Sequence, residues 1–347
     1  MKLDTEVAVV GAGLAGTSTA TALARAGFRV ALLDGASGGA SAIPAAVMAP
    51  YPTRPTDGLT RLRSRGARYT AALLQRLERE GHDSGCRASG VLLIPASPRD
   101  RRRHSRARAQ ASPIVEPLMA TEAATRLGTS PTEAALLHHR GCCVVPGRLI
   151  RALRARAGQR LVSAGVRVGH LDSDTDGVGI YDAAGCRWGR AAHVVLAMGP
   201  AVSSLWPTLA DSLTPVRGQA SAWPPNERSA GLAVALSGGG YVTPVIDGLH
   251  WAGGTVQPGV SSHHASADDD RANLARLRWL DPDYPDRQPT QRFVGVRAVT
   301  RDRVPLVDQI AARVWVNSGH GAHGLMTAPW SGALLAERIG YEWRTRH

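Results

Sequence analysis

The stretch Glu6–Asp34, EVAVVGAGLAGTSTATALARAGFRVALLD, constrains the fold of this chain more than any other. The apolar run Val7–Val10 predicts a buried strand. Gly11, Gly13 and Gly16 then predict a tight turn into a helix, Leu14–Ala26, which Gly27 ends before a second apolar strand, Arg29–Leu33. In such a unit Gly11 makes the turn, Gly13 lets a pyrophosphate approach the backbone, and Gly16 permits close helix–strand packing. The helix entry, Ala12, Leu14 and Ala15, presents free N–H groups and the positive end of the helix dipole to phosphates. Asp34 lies about where a carboxylate accepts hydrogen bonds from an adenosine ribose. The stretch predicts a dinucleotide site and leaves open which dinucleotide it holds.

At 347 residues and 44% apolar content, the chain can form one large α/β domain or two interleaved ones around a real core. No run of about eighteen apolar residues occurs, so no membrane span is expected. The first strand begins within a few residues of Met1, which leaves no room for a signal peptide and predicts a cytoplasmic protein. Cys86, Cys142, Cys143 and Cys186 have no CxxC spacing, so buried thiols are expected and a metal site is not.

The formal net charge is +13, and Lys2 is the sole lysine. Beyond the N-terminus no lysine is available for a Schiff base. The basic balance suits an acidic partner such as RNA. Within it, Arg99, Arg101, Arg102, Arg103, His104, Arg106 and Arg108 read either as a solvated helix face or as an RNA-backbone contact.

Further along, the Gly-, Ala-, Ser- and Pro-rich segment after Asp34 reads as a loop near a ligand, with a short helix from Pro44. A helix over Thr60–Arg79 and a strand over Gly90–Pro95 follow. Gly141–Pro146 is a strand-like entry to a helix at Gly147–Ala157, and Gly165–Gly169 and Gly177–Tyr181 are short strands. His193–Met198, with Gly199, has the pattern of a central parallel strand whose end faces a cofactor. Antiparallel strands are expected over Pro215–Trp223, Gly240–Pro244 and His250–Gly254, and a helix over Ala267–Leu280. Phe293–Ala298 and Val314–Asn317 are further strands. The pattern predicts an α/β chain with a discontinuous Rossmann-like nucleotide domain and an antiparallel β-rich second domain.

Gly319, Gly321 and Gly324 precede a closing helix, Leu325–Arg338, and so create a second helix N-terminus poised for a ligand. A simple NAD dehydrogenase does not need one. A reduced isoalloxazine carries negative charge at its N1–C2=O edge, which a helix N-terminus stabilises, so FAD is the expected cofactor.

The motifs VAVVGAGLAG, GASAIPAAVMAP, GCCVVPGRLIRAL, VVLAMG, PVRGQ, GGGYVTPVIDG, GVRAVTRDRVPLV and GHGAHGLMTAPWSGALLAE run in one order along the chain. In these the whole chain resembles the D-amino acid oxidase superfamily of FAD enzymes. More narrowly, it is similar to the C-terminal oxidoreductase domain of the bifunctional tRNA 5-methylaminomethyl-2-thiouridine biosynthesis proteins. The resemblance implies an FAD-binding domain over residues 1–85, 140–214 and 298–347, and a substrate-binding domain over 86–139 and 215–297. It implies FAD contacts from Ser41, Ala46, Val47 and Met48, from Ala197 and Gly199, and from Gly321, His323, Gly324, Leu325 and Met326, besides the first glycine turn.

The activity implied is oxidation of the C–N bond of a glycine-like secondary amine, the carboxymethylaminomethyl group of a wobble uridine in tRNA. Hydride leaves the methylene, water hydrolyses the imine to glyoxylate, and dioxygen is the expected electron acceptor. Arg297 matches the arginine that binds the substrate carboxylate in glycine oxidases, and Tyr241 matches a substrate-site tyrosine. Arg297 has a lesser reading as half of a structural ion pair with Asp302, and Tyr241 reads equally as a core aromatic. His320 and His323 read either as ring contacts or as loop structure, and Arg217 and Arg301 as fold or RNA residues. Departures from the family pattern are Ala42, Ile43 and Ala46 in the first loop, Asp308 in place of a glycine, and Val256 where some amine oxidases carry a lysine. With no methyltransferase domain ahead of the motifs, a separate methyltransferase is expected to act on the product. A small-molecule amine or amino-acid oxidase of the glycine or sarcosine type is the alternative reading. A flavin-containing RNA-binding protein with little turnover is another.

Overall fold

The computed structural model describes residues 3–35, 39–53, 57–110, 112–127 and 134–346. In its first sheet the strands Leu3–Val10, Val30–Leu33, Leu161–Ala164, Arg187–Leu196 and Val314–Ser318 run parallel. Leu3–Val10 lies between Val30–Leu33 and Arg187–Leu196, so the direction of winding reverses there. An open α/β sheet leaves a crevice at that point. Val168–Ser173 and Val178–Asp182 form an antiparallel meander beside Arg187–Leu196, and Leu306–Ala311 pairs antiparallel with Val314–Ser318.

Successive side chains of these strands go to opposite faces. Val7 and Val9 pack with Leu23, Leu335 and Ile339 of the helices Leu14–Arg25 and Gly324–Arg346. Ala8 and Val10 pack with Val178, Ile180 and Leu213 on the other side. Because both faces are covered, the strands read as unbroken apolar runs.

The second sheet, of ten strands among the described residues, is antiparallel except where Ala235–Ser237 lies along Cys86–Leu93. Thr214–Trp223 pairs with Gln291–Val299 over nearly its whole length. One face is covered by the helix Ala267–Leu277, with Trp223, Leu236, Leu274 and Tyr284 in one cluster. Arg217 fastens that helix to the sheet. Its guanidinium is 3% exposed and bonds Asp269 and the Gln257 side chain (2.9 Å), so its role is in the fold.

Some local expectations need correction. No helix starts at Pro44. Instead a 3₁₀ turn, Ala40–Ala42, leads to a strand, Ala46–Met48, that pairs with Cys142–Val144. A waiting partner strand outweighs local propensity over so short a segment. Leu161–Ala164 is a strand that sequence reading missed, since four residues show no usable period. The strand expected at Gly165–Gly169 starts only at Val168. Residues 36–38 and 54–56, part of the loop segment expected after Asp34, lie outside the described residues. Cys142 and Cys143 are buried as expected, whereas Cys86 is half-buried and Cys186 exposed. No helix among the described residues is long and apolar enough to cross a membrane.

Candidate active site

At the carboxyl end of Leu3–Val10, Gly11 donates its N–H to the Leu33 carbonyl (2.7 Å) and turns at φ +100°. A Cβ there would sit 2.5 Å from the Ala197 carbonyl oxygen, and a Cβ on Gly16 would run into the Gly11 carbonyl. The turn therefore tolerates no side chain at either position. Gly13 caps the helix Leu14–Arg25 without a side-chain bond, and the first turn carries no acidic residue. Leu14 donates its N–H to Ser41 Oγ (3.0 Å), which draws the first loop over the helix entry. Ala12 and Ala197 are buried in one cluster, with Ala15 packed against it. Asp34 stands exposed at the end of Val30–Leu33, its N–H bonded to the Ala164 carbonyl (3.0 Å).

The second glycine loop follows Val314–Ser318, with Gly319 at φ +75° and Gly321 at φ +54°. Ser318 Oγ donates to the Gly199 carbonyl (3.1 Å), joining the loop to the end of the VVLAMG strand. Met326, Leu14 and Met48 share one apolar cluster, against which Leu325 also packs. The residues singled out in sequence thus gather at the carboxyl ends of parallel strands. Met48 joins the Leu14 cluster from the strand Ala46–Met48, whose Val47 packs on the opposite side against the cluster of Ala45 and Cys143, while Asp34 marks the outer edge.

The loop is braced by a buried polar network. Asn317, fully buried, donates from Nδ2 to Thr19 Oγ1 (2.9 Å), which leaves its Oδ1 to accept from His320 Nε2 (3.0 Å) and Ser331 Oγ (2.9 Å). His320 therefore carries its proton on Nε2 and accepts from Thr327 Oγ1 at Nδ1 (2.9 Å). Burial pushes His320 down to about 4. His323 also falls to about 4, first through burial and then through the Arg63, Arg297 and Arg303 guanidiniums.

A pH dependence follows. Unfolded histidine titrates near 6.5, so between about 6.5 and about 4 the unfolded chain binds more protons than the folded one. Stability is full above that window and is lost as pH falls through it. Buried His138, also lowered to about 4, adds to the slope. The melting temperature is expected to drop across the window, and His320→Asn to remove about one proton of that slope. A melting temperature level down to about pH 4.5 would contradict a buried neutral imidazole.

Next to this loop lies the strand Gln291–Val299, because Val299 bridges His320. Two residues earlier, Arg297 donates from Nη2 to the Thr255 carbonyl (3.0 Å), and burial lowers its pKa. Among the described residues no carboxylate pairs with Arg297. Asp302, the partner weighed from sequence, instead accepts the Val304 N–H (3.0 Å) and shapes its own turn. Tyr241 donates its hydroxyl to the Ala45 carbonyl (3.4 Å) and lies against Gly253, while burial pushes its phenol up. A desolvated cation with no counter-ion among the described residues, beside Tyr241 and a neutral His323, is an arrangement that can receive an anion.

Two contributors were missed in sequence. Arg63 is 6% exposed and donates to Tyr51 Oη (2.7 Å), and the Tyr51 ring lies 6.5 Å from that of His323. Arg63 falls in register with Ala67, Thr70, Leu74 and Leu77 on the buried stripe of the helix Gly58–Arg79, which was a legible signal. The Asp308 departure lies outside the pocket, since that exposed residue pairs with Arg338 (2.7 Å). Val256 is also exposed.

A family model described as FAD dependent oxidoreductase matches residues 6–338. The chain belongs to that family. Its cofactor is FAD, and it is an oxidoreductase. The tRNA 5-methylaminomethyl-2-thiouridine biosynthesis bifunctional protein of a Polaromonas species is 32% identical to it over 96% of this chain and 56% of the relative. The protein of the same name from Burkholderia lata is 33% identical over 87% of this chain and 48% of the relative. The chain thus spans about half the length of these curated relatives. Among solved structures, glycine oxidase from Geobacillus kaustophilus superposes with a TM-score of 0.82 at 24% identity, over 97% of this chain and 95% of that one. Iminodiacetate oxidase from a Chelativorans species gives 0.83 at 22% identity, with the same coverage. These superpositions establish the D-amino acid oxidase fold for this chain.

FAD fits the residues present. The first turn is stripped of side chains where a pyrophosphate would lie, and the helices Leu14–Arg25 and Gly324–Arg346 both lack acids in their first turns.

Proposed function

We propose that this oxidoreductase removes the carboxymethyl arm from carboxymethylaminomethyl-uridine at the wobble position of tRNA. The observation that carries the reading is Arg297, desolvated and without a carboxylate partner among the described residues, beside Tyr241 and the second glycine loop. The names and identities of the relatives supply the RNA half of the reading.

In this reading the chain over 1–85, 140–214 and 298–347 holds FAD, and 86–139 with 215–297 holds the substrate. Gly11, Ala12, Gly13, Leu14, Ala15 and Gly16 take the pyrophosphate, Asp34 the ribose, and Ser41, Ala46, Val47, Met48, Ala197 and Gly199 line the path to the ring. Gly321, His323, Gly324, Leu325 and Met326 meet the ring edge. Bound there, FAD supplies a two-electron acceptor for the hydride that leaves the substrate methylene.

The chain's own groups set the geometry. Arg297 grips the substrate carboxylate with two parallel hydrogen bonds, fixing both its position and its plane. Tyr241 closes the pocket at the carboxylate end. The guanidiniums around His323 disfavour a protonated amine, and the neutral amine is the form that gives up hydride. Water then cleaves the imine to glyoxylate and aminomethyl-uridine. Dioxygen is the proposed final acceptor, and a separate methyltransferase the next enzyme. A free glycine- or sarcosine-type amine would satisfy Arg297 equally well, which keeps that substrate class as the second reading.

Carboxymethylaminomethyl-tRNA incubated with the holoenzyme in air should yield aminomethyl-uridine on nucleoside mass analysis, together with glyoxylate. Unchanged nucleoside from an enzyme that oxidises sarcosine would replace the first reading with the second.

A further inference from the structure

We infer that the arginines flanking Tyr51 form a docking track for the phosphate backbone of RNA, leading to the site. This rests on the RNA reading above and adds where the polymer lies. The helix Pro98–Arg108 is held by its Ser97 cap, whose Oγ accepts the Asp100 N–H (3.2 Å). Its arginines divide into two kinds. Arg108 donates to the Leu118 and Ala135 carbonyls (2.6 and 3.1 Å), so it is part of the fold. Arg103 pairs with Asp100 (3.6 Å) and lies over the Tyr51 ring at 5.1 Å.

Arg99, Arg102 and Arg106 are different. They are exposed, and among the described residues none has a hydrogen bond or ion pair. At spacings of three and four they share one stripe, which borders the shoulder where Arg103 reaches Tyr51 and lies away from buried His104 and Ala107. Like charges on such a stripe repel, and no carboxylate among the described residues relieves them.

A second group stands across Tyr51. Arg63, bonded to Tyr51, also reaches the Arg303 carbonyl (3.5 Å). The turn there carries Arg301 and Arg303, both exposed and without a carboxylate partner among the described residues. Unpaired guanidiniums therefore flank the Tyr51–His323 contact on two sides. A polyanion long enough to pass both while presenting one group to Arg297 matches this layout. An anionic membrane does not, because none of the exposed large apolar side chains lies on this helix to anchor it.

The test uses the FAD-loaded enzyme and the triple variant Arg99→Glu/Arg102→Glu/Arg106→Glu, with an Arg→Gln triple as the milder partner. Flavin content and melting temperature check that each variant is folded. Binding of a fluorescent, unmodified tRNA transcript is followed by anisotropy across a salt series. The Glu triple is expected to bind at least about tenfold more weakly at low salt. Its log–log salt slope should be shallower by about 2, at roughly 0.7 for each phosphate that is no longer neutralised. The Gln triple should show the same shallower slope with a smaller fall in affinity. Equal affinity and slope in folded variants would overturn the proposal, as would wild-type enzyme that does not bind the transcript. Flavin reduction by carboxymethylaminomethyl-tRNA, read separately at saturating tRNA, reports on the reaction. If it proceeds while the triples bind normally, the surface fails and the reaction stands. If binding falls as expected but the flavin is never reduced, the surface stands and the reaction fails.

Discussion

Gly11→Ala is expected to yield protein without bound FAD. Two independent costs meet at this position. A side chain at φ +100° is strained by about 1–2 kcal/mol, and a Cβ 2.5 Å from the Ala197 carbonyl adds an overpacking cost of about 1–3 kcal/mol against backbone that cannot swing aside. Together these amount to about 2–5 kcal/mol, enough to weaken FAD binding by about 30-fold to several thousandfold. Nearby Gly39→Ala is the control, since a Cβ there meets nothing within 4 Å among the described residues, and it should retain flavin. Circular dichroism separates an empty folded protein from an unfolded one. A folded Gly11→Ala protein with a full complement of FAD would mean that the turn is not the pyrophosphate cradle.

Arg297→Leu is expected to do the reverse, keeping FAD while losing reduction by substrate. Truncating one partner of a desolvated charge pair costs about 2–5 kcal/mol, so the second-order rate of flavin reduction should fall by about 30-fold to several thousandfold. Stability should not fall with it. Arg297 has no carboxylate partner among the described residues and is desolvated, so an apolar side chain removes a buried charge instead of breaking a pair. A structural arginine would give the opposite pattern, a lower melting temperature with normal reduction per folded enzyme. Either half of that pattern would take Arg297 out of the mechanism.

Much of this architecture was legible in sequence because its signals are local. The glycine turn at Gly11–Gly16 and the loop at Gly319–Gly324 each need particular residues within a few positions, and both occur where expected. The central strand ending at Leu196 announced itself by being apolar on both faces. What was not legible depends on partners far along the chain. Ala46–Met48 is a strand only because Cys142–Val144 is there to pair with it. Tyr51 gains its place from Arg63, Arg103 and His323, and no spacing in the sequence announces that convergence. The choice between Asp302 and no partner for Arg297 was likewise open until Asp302 was seen to serve its own turn.

In the proposed reaction a carboxylate-bearing secondary amine on RNA, anchored by Arg297, delivers hydride to the flavin. Single-turnover, anaerobic bleaching of the enzyme-bound flavin tests it most directly. Rapid bleaching is expected with carboxymethylaminomethyl-tRNA, none with free glycine or sarcosine at matched concentration, and none with any of them in Arg297→Leu. Bleaching by glycine or sarcosine but not by the tRNA would contradict the proposed reaction in favour of a small-molecule oxidase, and inertness to all three would leave a flavin-containing RNA-binding protein.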